Sequence, residues 1–334
     1  MPPGRTRRPV RRSHPRHPVT STPARIHERQ DTGKYFPLEL VRDRLALSRR
    51  ELQVAGPMQR GVPGNLAKRL GRADDACVNA SEEIRLIVRG DDFGMCHAVN
   101  QGIATAFRDG IVTTSTAMAP CPWFGEAAEI AKDLRIPLGV HQTLTCEWDY
   151  FRWRPVTAGV SLTGADGTFF PSVELAQQHV QFDDAVRELL AQVGLFRSAG
   201  LRPDYLDCHM GSTLPAAYAE VSAQAGVPFL YSDEIGARLA SYSELSPRDA
   251  GEKKAWLVGY LRGLGPGIHV LVSHPAVPSS ELESLTGPNS VPYRWAAEYR
   301  LSDLEALTDP DISALIDQLG IRLCSLPEAL AGPG

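Results

Sequence analysis

The sequence has few cysteines, and no two of them are spaced as Cys-x-x-Cys. Six cysteines are scattered over the 334 residues, at positions 77, 96, 121, 146, 208 and 324. A disulfide framework or a cysteine-ligated zinc site is therefore not expected, and isolated thiols are typical of a reducing compartment. The sequence also has no apolar run close to the roughly 20 residues that a membrane-spanning helix needs. These absences predict a cytoplasmic protein with no membrane partner.

Charge is unevenly distributed along the chain. Residues 1–80 contain 17 Lys and Arg against 7 Asp and Glu, whereas the remaining residues carry a net charge of −14. The first 29 residues have almost no large apolar side chain and cannot bury enough surface to fold alone. We therefore expect residues 1–60 to form a basic, disordered N-terminal extension without the apolar segment of a secretory signal. A targeting peptide or a nucleic-acid arm is the alternative for such a leader, although we expect no nucleic-acid partner.

From residue 84 onward, short apolar runs alternate with helical patterns. Strands are predicted at 84–89, 113–119, 137–144, 203–208, 227–231, 268–273 and 320–324. Helices are predicted at 97–109, 124–134, 183–199, 215–225, 248–263, 298–306 and 310–318. This alternation predicts an α/β protein with a parallel sheet, and seven strands favour a (β/α) barrel similar to a TIM barrel. We assign this domain to residues 61–334, and short helices are predicted before its first strand at Pro37–Ala55 and Asn65–Leu70.

Polar side chains follow four of the predicted strands. They are Asp91-Asp92, His141, His209 and His274. The carboxyl ends of parallel strands meet at one face of a sheet, so we expect these side chains to converge. Neighbouring strand residues point to opposite faces, so the two Asp can share a site only if the chain turns, and Gly94 predicts that turn. One carboxylate and two imidazoles form a facial set of metal ligands that leaves room for water and substrate.

Each of these residues also has a simpler interpretation. A single His in an apolar strand is more often a packed core residue, and one Asp could cap the helix that begins near His97. Recurrence after separate strands favours the shared site. His97, His179 and His269 lack this placement and are interpreted as surface or supporting groups. The tripeptide Asp92-Phe93-Gly94 also occurs in protein kinases, but the Gly-rich loop and catalytic loop that a kinase needs upstream are absent.

Two loops are candidate lids. Residues 148–154 are aromatic and basic, which suits either stacking on the apolar face of a ligand or packing as a core plug. Residues 278–295 are rich in Pro, Ser and Gly and contain Tyr293 and Trp295. Long loops without regular structure are often functional.

Several motifs, in this order along the chain, resemble the YdjC-like (ChbG-type) carbohydrate deacetylase family. They are Arg89–Met95, Val99-Asn100, Gly110–Ser115, Gly139–Thr145, Asp204–Gly211 and Ser273–Pro275. Because they are spread over about 250 residues, the resemblance covers residues 84–330 and is far more specific than one short motif. Two differences stand out. Gly90 replaces the Ala that usually precedes the Asp pair, and the His-Met-Gly-Ser segment at His209 departs from the characterised chitooligosaccharide deacetylases.

The resemblance implies a distorted (β/α) barrel of the glycoside hydrolase/deacetylase type and a metal-dependent hydrolase that removes N-acetyl groups from an amino sugar or oligosaccharide. By position, Asp92, His141 and His209 would hold a divalent ion, expected to be Mg²⁺ with Zn²⁺ as the alternative. Asp91 would be the general base, and His274 would be the general acid or a stabiliser of the oxyanion. A small carbohydrate substrate and a homodimer are expected.

Two other functions are compatible with the same residues. One is a related metallohydrolase that cleaves a phosphoester or another amide. The other is a catalytically inactive barrel that binds sugars. The complete set of five site residues favours an enzyme, because a barrel that had lost catalysis would be expected to have lost some of them.

Overall fold

The computed structural model describes residues 83–211, 213–290 and 292–331. The predicted extension over residues 1–60, the boundary at residue 61 and the helices at Pro37–Ala55 and Asn65–Leu70 lie outside this part of the chain. The described residues contain strands that alternate with helices and pair in parallel throughout. The strands are β1 (Ile84–Phe93), β2 (Thr114–Ala117), β3 (Leu138–Gln142), β4 (Leu206–Cys208), β5 (Leu239–Glu244), β6 (Gly267–Ser273) and β7 (Arg322–Leu323).

Twelve α-helices connect or flank these strands within the described residues. They are α1 (His97–Asp109), α2 (Phe124–Leu134), α3 (Val173–His179), α4 (Phe182–Ser198), α5 (Pro215–Ala225), α6 (Asp233–Gly236), α7 (Lys253–Gly263), α8 (Ser280–Glu283), α9 (Tyr293–Ala296), α10 (Glu298–Leu307), α11 (Pro310–Gln318) and α12 (Leu326–Ala331). Local chemistry sets several of their ends. Ser172 and Asp309 accept hydrogen bonds from the first turns of α3 and α11, and Gly226 ends α5 in the left-handed conformation. In the described part of the chain, none of these helices is both long and apolar enough to cross a membrane.

The strands are ordered β4-β3-β2-β1-β6-β5. One edge of β1 pairs with β6, while the other edge pairs first with β7 and then with β2. Beyond β4, a single bridge joins Leu206 to Phe229, and the hydroxyls of Tyr231 and Tyr242 lie 2.9 Å apart between this segment and β5. The result is a distorted (β/α) barrel, as predicted, in which side chains span the gap between the two ends of the ladder.

The side chains of β1 alternate between the two sides of this sheet. Leu86 and Val88 pack outward with residues of α7, α10 and α11. Ile87 packs inward with Tyr205, Val270 and other apolar residues that fill one end of the barrel. Because the side-chain period of a strand is two, Arg89 and Asp91 follow Ile87 on the inner side. The inner surface of β1 therefore changes from apolar to charged toward its carboxyl end.

Most predicted elements are present, and the differences lie in the later strands. The predicted strand at 227–231 is reduced to the single bridge at Phe229. Strand β5, which was not predicted, occupies Leu239–Glu244 instead. Its sequence has no apolar run, because β5 pairs on one edge only and its residues are half-buried or exposed. Helices α3, α6, α8, α9 and α12 were also not predicted.

Candidate metal centre

Strand β1 ends in a bulge that turns both Asp carboxylates toward the same space. The register between β1 and β2 shifts between Gly90 and Phe93, and Asp92 adopts a positive φ of 70°. An Asp tolerates this left-handed conformation better than most residues, although the conformation is strained. The turn predicted at Gly94 therefore already begins at Asp92. Both Asp91 and Asp92 are almost completely buried.

Asp92, His141 and His209 present one donor atom each to a common point. Oδ1 of Asp92 lies 3.3 Å from Nε2 of His141 and 3.2 Å from Nδ1 of His209, and the two nitrogens are 3.4 Å apart. Ligands about 2.1 Å from one ion and roughly 90° to 110° apart are separated by about 3.0 to 3.4 Å. The triangle thus has the size of one face of a metal coordination sphere. It is the predicted ligand set.

The donor atoms of this triangle suit a cation. Oδ1 of Asp92 is buried and, among the described residues, has no hydrogen-bond partner, because neither neighbouring imidazole has hydrogen-bond geometry toward it. A buried carboxylate oxygen without a donor is costly unless a cation or water satisfies it. Two imidazoles and a carboxylate are common ligands of first-row divalent ions. The residues therefore fit a divalent cation.

The second nitrogen of each imidazole is bound by a carboxylate. Nδ1 of His141 lies 2.8 Å from Asp207, and Nε2 of His209 lies 3.0 Å from Glu147. A carboxylate can only accept, so each of these nitrogens carries the proton and the other nitrogen keeps its lone pair for a metal. Burial lowers the pKa of His141 and of His209, but Asp207 and Glu147 respectively outweigh it and raise these values to about 10 and about 9. Surroundings that favour a proton on these rings also favour a metal cation in its place.

Arg300, on α10, holds the other oxygen of Asp92. Its Nη2 donates to Oδ2 of Asp92 at 2.6 Å, and its Nε donates to the Trp295 carbonyl at 2.7 Å. Arg300 is buried, with its guanidinium over the ring of Trp148. Burial raises the pKa of Asp92, but Arg300 and the two imidazoles lower it well below its ordinary value. Asp92 therefore stays ionised, with Oδ1 directed at the triangle.

Asp91 is held by a guanidinium fork. Arg89, two residues earlier on the inner side of β1, donates from Nε and Nη2 to the two oxygens of Asp91 at 2.5 and 2.6 Å. Thr116 donates to Oδ1 at 3.2 Å. Burial raises the pKa of Asp91, but Arg89, His141 and His274 together lower it below its ordinary value. An ionised carboxylate in a fixed orientation can accept a proton from a nearby water.

A second group of donor atoms lies beside the triangle but is a poor cation site. It consists of Asp91, His141 and Asp207. Arg89 bridges the two carboxylates, with Nη1 3.0 Å from Oδ2 of Asp207. The guanidinium already supplies the positive charge there, so repulsion disfavours a metal ion.

His274 follows β6 and is partly exposed. Its ring lies edge-on to Trp295, with 5.3 Å between the ring centres. Burial lowers the pKa of His274, and the charges of Asp91 and Asp92 oppose that shift. The described structure thus places all five predicted site residues at the carboxyl ends of β1, β3, β4 and β6.

The three other predicted histidines lie elsewhere. His97 is exposed and pairs with Glu126 at 2.8 Å, and His179 is exposed and stacks on Phe170. His269 is buried rather than on the surface, with Nδ1 2.7 Å from the Ser241 hydroxyl. Within the described residues, none of the three is hydrogen-bonded or ion-paired to a residue of the triangle, in keeping with their positions away from the carboxyl ends of the strands.

The aromatic loop at residues 148–154 has two packed aromatic side chains and one exposed one. Trp148 and Trp153 are buried, and the ring of Trp153 lies edge-on to His209 at 5.8 Å. Arg152 donates to several backbone carbonyls of the loop and its neighbours, which holds the loop in place. Tyr150, in contrast, is 75% exposed. The two tryptophans are core residues, and Tyr150 is free to contact a ligand.

The loop at residues 278–295 packs against the aromatic loop. It contains the short helices α8 and α9. The carboxylate of Asp149 accepts hydrogen bonds from the hydroxyls of Thr286 and Ser290, and the Tyr150 amide donates to the Leu285 carbonyl at 3.0 Å. The two predicted lids are therefore joined to each other beside the site.

Four residues of the site were not assigned a role from the sequence. Arg89 and Asp207 stand two positions before Asp91 and His209, so the period of two in a strand could have identified them. Glu147 and Arg300 lie on a loop and on a distant helix. No local pattern links them to the triangle, and only the folded chain brings them there.

Comparison with known proteins is consistent with this geometry. The model of the family described as "YdjC-like protein" matches residues 85–318. A chitooligosaccharide deacetylase of Yersinia enterocolitica is 33% identical over 263 residues, which cover 72% of this chain and 97% of that protein. A carbohydrate deacetylase of Vibrio vulnificus is 26% identical over 264 residues, covering 75% of this chain and 98% of that protein.

A solved structure shares the fold. A crystal structure from Enterococcus faecalis V583, provisionally described as a cellobiose-phosphate cleavage protein, superimposes with a TM-score of 0.60. It is 23% identical, and the match covers 74% of this chain and 98% of that one. At this identity the likeness concerns the fold alone.

Proposed function

The chain belongs to the YdjC-like protein family, and from this membership and the geometry of its site we propose that it is a metal-dependent carbohydrate deacetylase. It would hydrolyse the amide bond of an N-acetylated amino sugar or oligosaccharide. The named relatives from Yersinia enterocolitica and Vibrio vulnificus support the substrate class. Sequence and structure support the chemistry independently of those names.

The observation that carries the proposal is the triangle of Asp92, His141 and His209 beside a fixed carboxylate. Three donor atoms 3.2 to 3.4 Å apart form a face for one ion. Asp91 is held next to it by Arg89. A bound divalent ion supplies a Lewis acid that polarises the acetyl carbonyl and makes a water molecule more acidic. A general base next to such a face is the arrangement that amide hydrolysis requires.

We assign the proton transfers to Asp91 and His274. Asp91 is ionised and has its orientation set by Arg89, so it would accept the proton of the attacking water. His274, at the end of β6, would give a proton to the leaving nitrogen or stabilise the oxyanion. Its lowered pKa makes the protonated ring a stronger acid, which suits transfer to a poor leaving group.

The nature of the ion and the setting of the enzyme belong to this proposal. Mg²⁺ is predicted from the sequence, with Zn²⁺ as the alternative. Two nitrogen donors out of three favour Zn²⁺ or another first-row ion, whereas Mg²⁺ prefers oxygen. Metal analysis of the purified protein distinguishes these ions. A small carbohydrate substrate, a cytoplasmic location and a homodimer stay predictions.

The substitution Asp91→Asn tests the proposal. It removes the proton acceptor but leaves the triangle, so acetate release from N,N′-diacetylchitobiose should fall by about 10²- to 10⁴-fold while a divalent ion still binds. Activity would be followed by acetate release and the ion by titration calorimetry. The matched control is Asp133→Asn, an exposed Asp on α2, which should retain full activity.

A substrate panel completes this test. Wild-type protein would be offered acetylated amino sugars and phosphoesters in parallel. Cleavage of a phosphoester without acetate release would contradict the deacetylase proposal in favour of another metallohydrolase. Absence of metal under metal-replete conditions would instead indicate a sugar-binding barrel. Full activity of Asp91→Asn would overturn the assignment of the base.

A further inference from the structure

The protein groups that hold His274 differ from those that hold the three residues of the metal triangle. Nδ1 of His274 is 2.8 Å from the hydroxyl of Ser246, which follows β5. Ser246 in turn donates to Oδ2 of Asp303, on α10, at 2.5 Å. The same oxygen accepts from the backbone amide of His274 at 2.8 Å. Ser246 and Asp303 are completely buried.

A buried lysine completes this chain of contacts. Lys253, on α7, donates from Nζ to Oδ1 of Asp303 at 2.6 Å and to the Tyr299 carbonyl at 2.7 Å. It is 1% exposed. A buried carboxylate that receives hydrogen bonds from an ammonium, a hydroxyl and an amide is well satisfied. The side chains of Ser246, Asp303 and Lys253, from three separate parts of the chain, therefore meet behind His274 in one connected network.

The direction of these hydrogen bonds follows from the atoms involved. Asp303, as the partner of an ammonium, can only accept, so the single hydroxyl proton of Ser246 points to Asp303. The Ser246 oxygen can then only accept from His274, which places a proton on Nδ1 of the ring. Nε2 is the remaining nitrogen, and within the described residues no protein hydrogen bond to it is present.

We infer that Ser246 and Asp303 are positioning residues that keep a proton on Nδ1 of His274, so that Nε2 is the nitrogen that binds and releases the proton given to the leaving amine. This inference rests on the proposed deacetylase function. Lys253 balances the charge of Asp303 and keeps its carboxylate in place. The network also stabilises the positively charged, protonated ring of His274. The negative charge of Asp303 polarises the Ser246 hydroxyl, whose oxygen accepts from Nδ1.

At the start of the step His274 is an imidazolium, with one proton on Nδ1 that Ser246 holds in place and a second, transferable proton on Nε2. Water adds to the acetyl carbon, and Asp91 takes one of its protons. The carbon–nitrogen bond then breaks, the electron pair stays on nitrogen, and that nitrogen takes the proton from Nε2 of His274. Acetic acid and the free amine result. The proton held by Asp91 replaces the one that His274 has lost, so each residue returns to its starting state.

Ser246→Ala tests the inference with two substrates that differ in leaving group. An amine leaves only when protonated, whereas nitrophenolate leaves without a proton. We expect turnover of N,N′-diacetylchitobiose to fall by about 10- to 100-fold, as for other orienting partners of catalytic groups, with little change in KM. Turnover of nitrophenyl acetate should change by less than about threefold, because its departure needs no general acid.

A matched control lies beside Asp303. Ser302 is a buried serine too, but it lies on α10. Among the described residues, its hydroxyl donates only to carbonyls of the same helix, those of Glu298 and Tyr299. Ser302→Ala should leave the ratio of amide to ester turnover unchanged. Nitrogen NMR of histidine-labelled protein, with the His274→Gln variant to assign the signal, should show the Nδ1–H form in the wild type. In Ser246→Ala that signal should move toward a mixture of both forms.

The outcomes separate this inference from the proposed function. If Ser246→Ala slows the amide and the ester equally, or if the wild-type ring carries its proton on Nε2, the positioning role is wrong. If the wild type releases no acetate from any acetylated amino sugar, the proposed function fails. The NMR measurement still decides the state of His274 in that case.

Discussion

Each metal-facing side chain uses one polar atom for the triangle and its other polar atom for the protein. Asp92 directs Oδ1 inward and gives Oδ2 to Arg300. His141 and His209 direct one nitrogen inward and give the other to Asp207 and Glu147. Because the protein holds the outer polar atom of each side chain, the orientation of that side chain is set before any ion arrives. Such preorganisation is what raises the affinity of a metal site.

Glu147→Gln tests whether the carboxylate that holds the outer nitrogen of His209 contributes to metal binding. The amide can no longer accept as an anion, so Nε2 of His209 is held less firmly and the ring is a weaker ligand. We expect the dissociation constant for the divalent ion to rise by about 10- to 100-fold, measured by titration calorimetry.

The control for Glu147→Gln is a similar pair away from the triangle. Glu126 contacts the exposed His97 at 2.8 Å, and Glu126→Gln should leave metal affinity unchanged. Equal losses of affinity in the two variants would mean that the effect is not specific to the orientation of His209.

At the scale of elements, the segment after β6 is wedged between two helices. The Val277 amide donates to the Ala98 carbonyl of α1, and the Ala276 amide donates to the Arg300 carbonyl of α10. A Cβ added to Gly102 of α1 would lie 2.3 Å from Cα of Ala276. The backbone that follows His274 therefore approaches α1 at a distance that only glycine permits. Helix packing thus positions the residue that we propose as the acid.

Gly102→Ala should destabilise the protein, although Ala is the better helix former. Overpacking of this kind costs about 1 to 3 kcal/mol, which exceeds the gain of about 1 kcal/mol from helix propensity. Urea unfolding would measure the free energy of unfolding. Because the segment beside His274 must shift, kcat should fall as well.

For Gly194, which lies inside α4, we expect the opposite effect of an alanine on stability. It is exposed, and a Cβ there meets nothing within 4 Å. Gly194→Ala should therefore stabilise the protein by up to about 1 kcal/mol and leave kcat unchanged. If Gly102→Ala behaved in the same way, the close packing of α1 against Ala276 would be refuted.

At the scale of the whole molecule, the site joins strands that are distant in sequence. The triangle takes one ligand from each of β1 and β3 and one from the residue after β4, and these strands are not all neighbours in the sheet. An ion bound there would link three separate parts of the barrel. Since the unfolded chain does not hold these ligands together, binding should stabilise the folded state.

A divalent ion should accordingly raise the melting temperature. At an ion concentration 100 times the dissociation constant, the free energy of unfolding should increase by about 2.7 kcal/mol. Thermal unfolding with added ion and with a chelator would measure the shift. His209→Gln should abolish most of it, while His179→Gln, which replaces an exposed histidine outside the site, should retain it. A shift of the same size in both variants would place the ion elsewhere.

Much of the fold was predictable because local chemistry and packing agree. Helices α1, α2, α5 and α11 have the predicted bounds, since apolar residues at helical spacing end at Gly or Pro or at a change of pattern. Strand β5 is not predicted by the sequence, because it lacks such a local pattern. It is an edge strand with half-buried residues, so its sequence contains no apolar run that would predict a strand. The apolar run at 227–231 predicts a strand, but in the structure only Phe229 pairs, through a single bridge.

The period of each strand and the order of the elements along the chain are local properties, and they already predict which side chains stand at the ends of parallel strands. These properties predict that one face of the sheet carries Asp91, Asp92, His141, His209 and His274. The orientation of these side chains, in contrast, depends on contacts that form only in the folded chain. Asp92 turns at a bulge, and Arg300, Glu147, Ser246 and Asp303 come from remote elements. Their contacts depend on packing between distant segments, which no local pattern encodes.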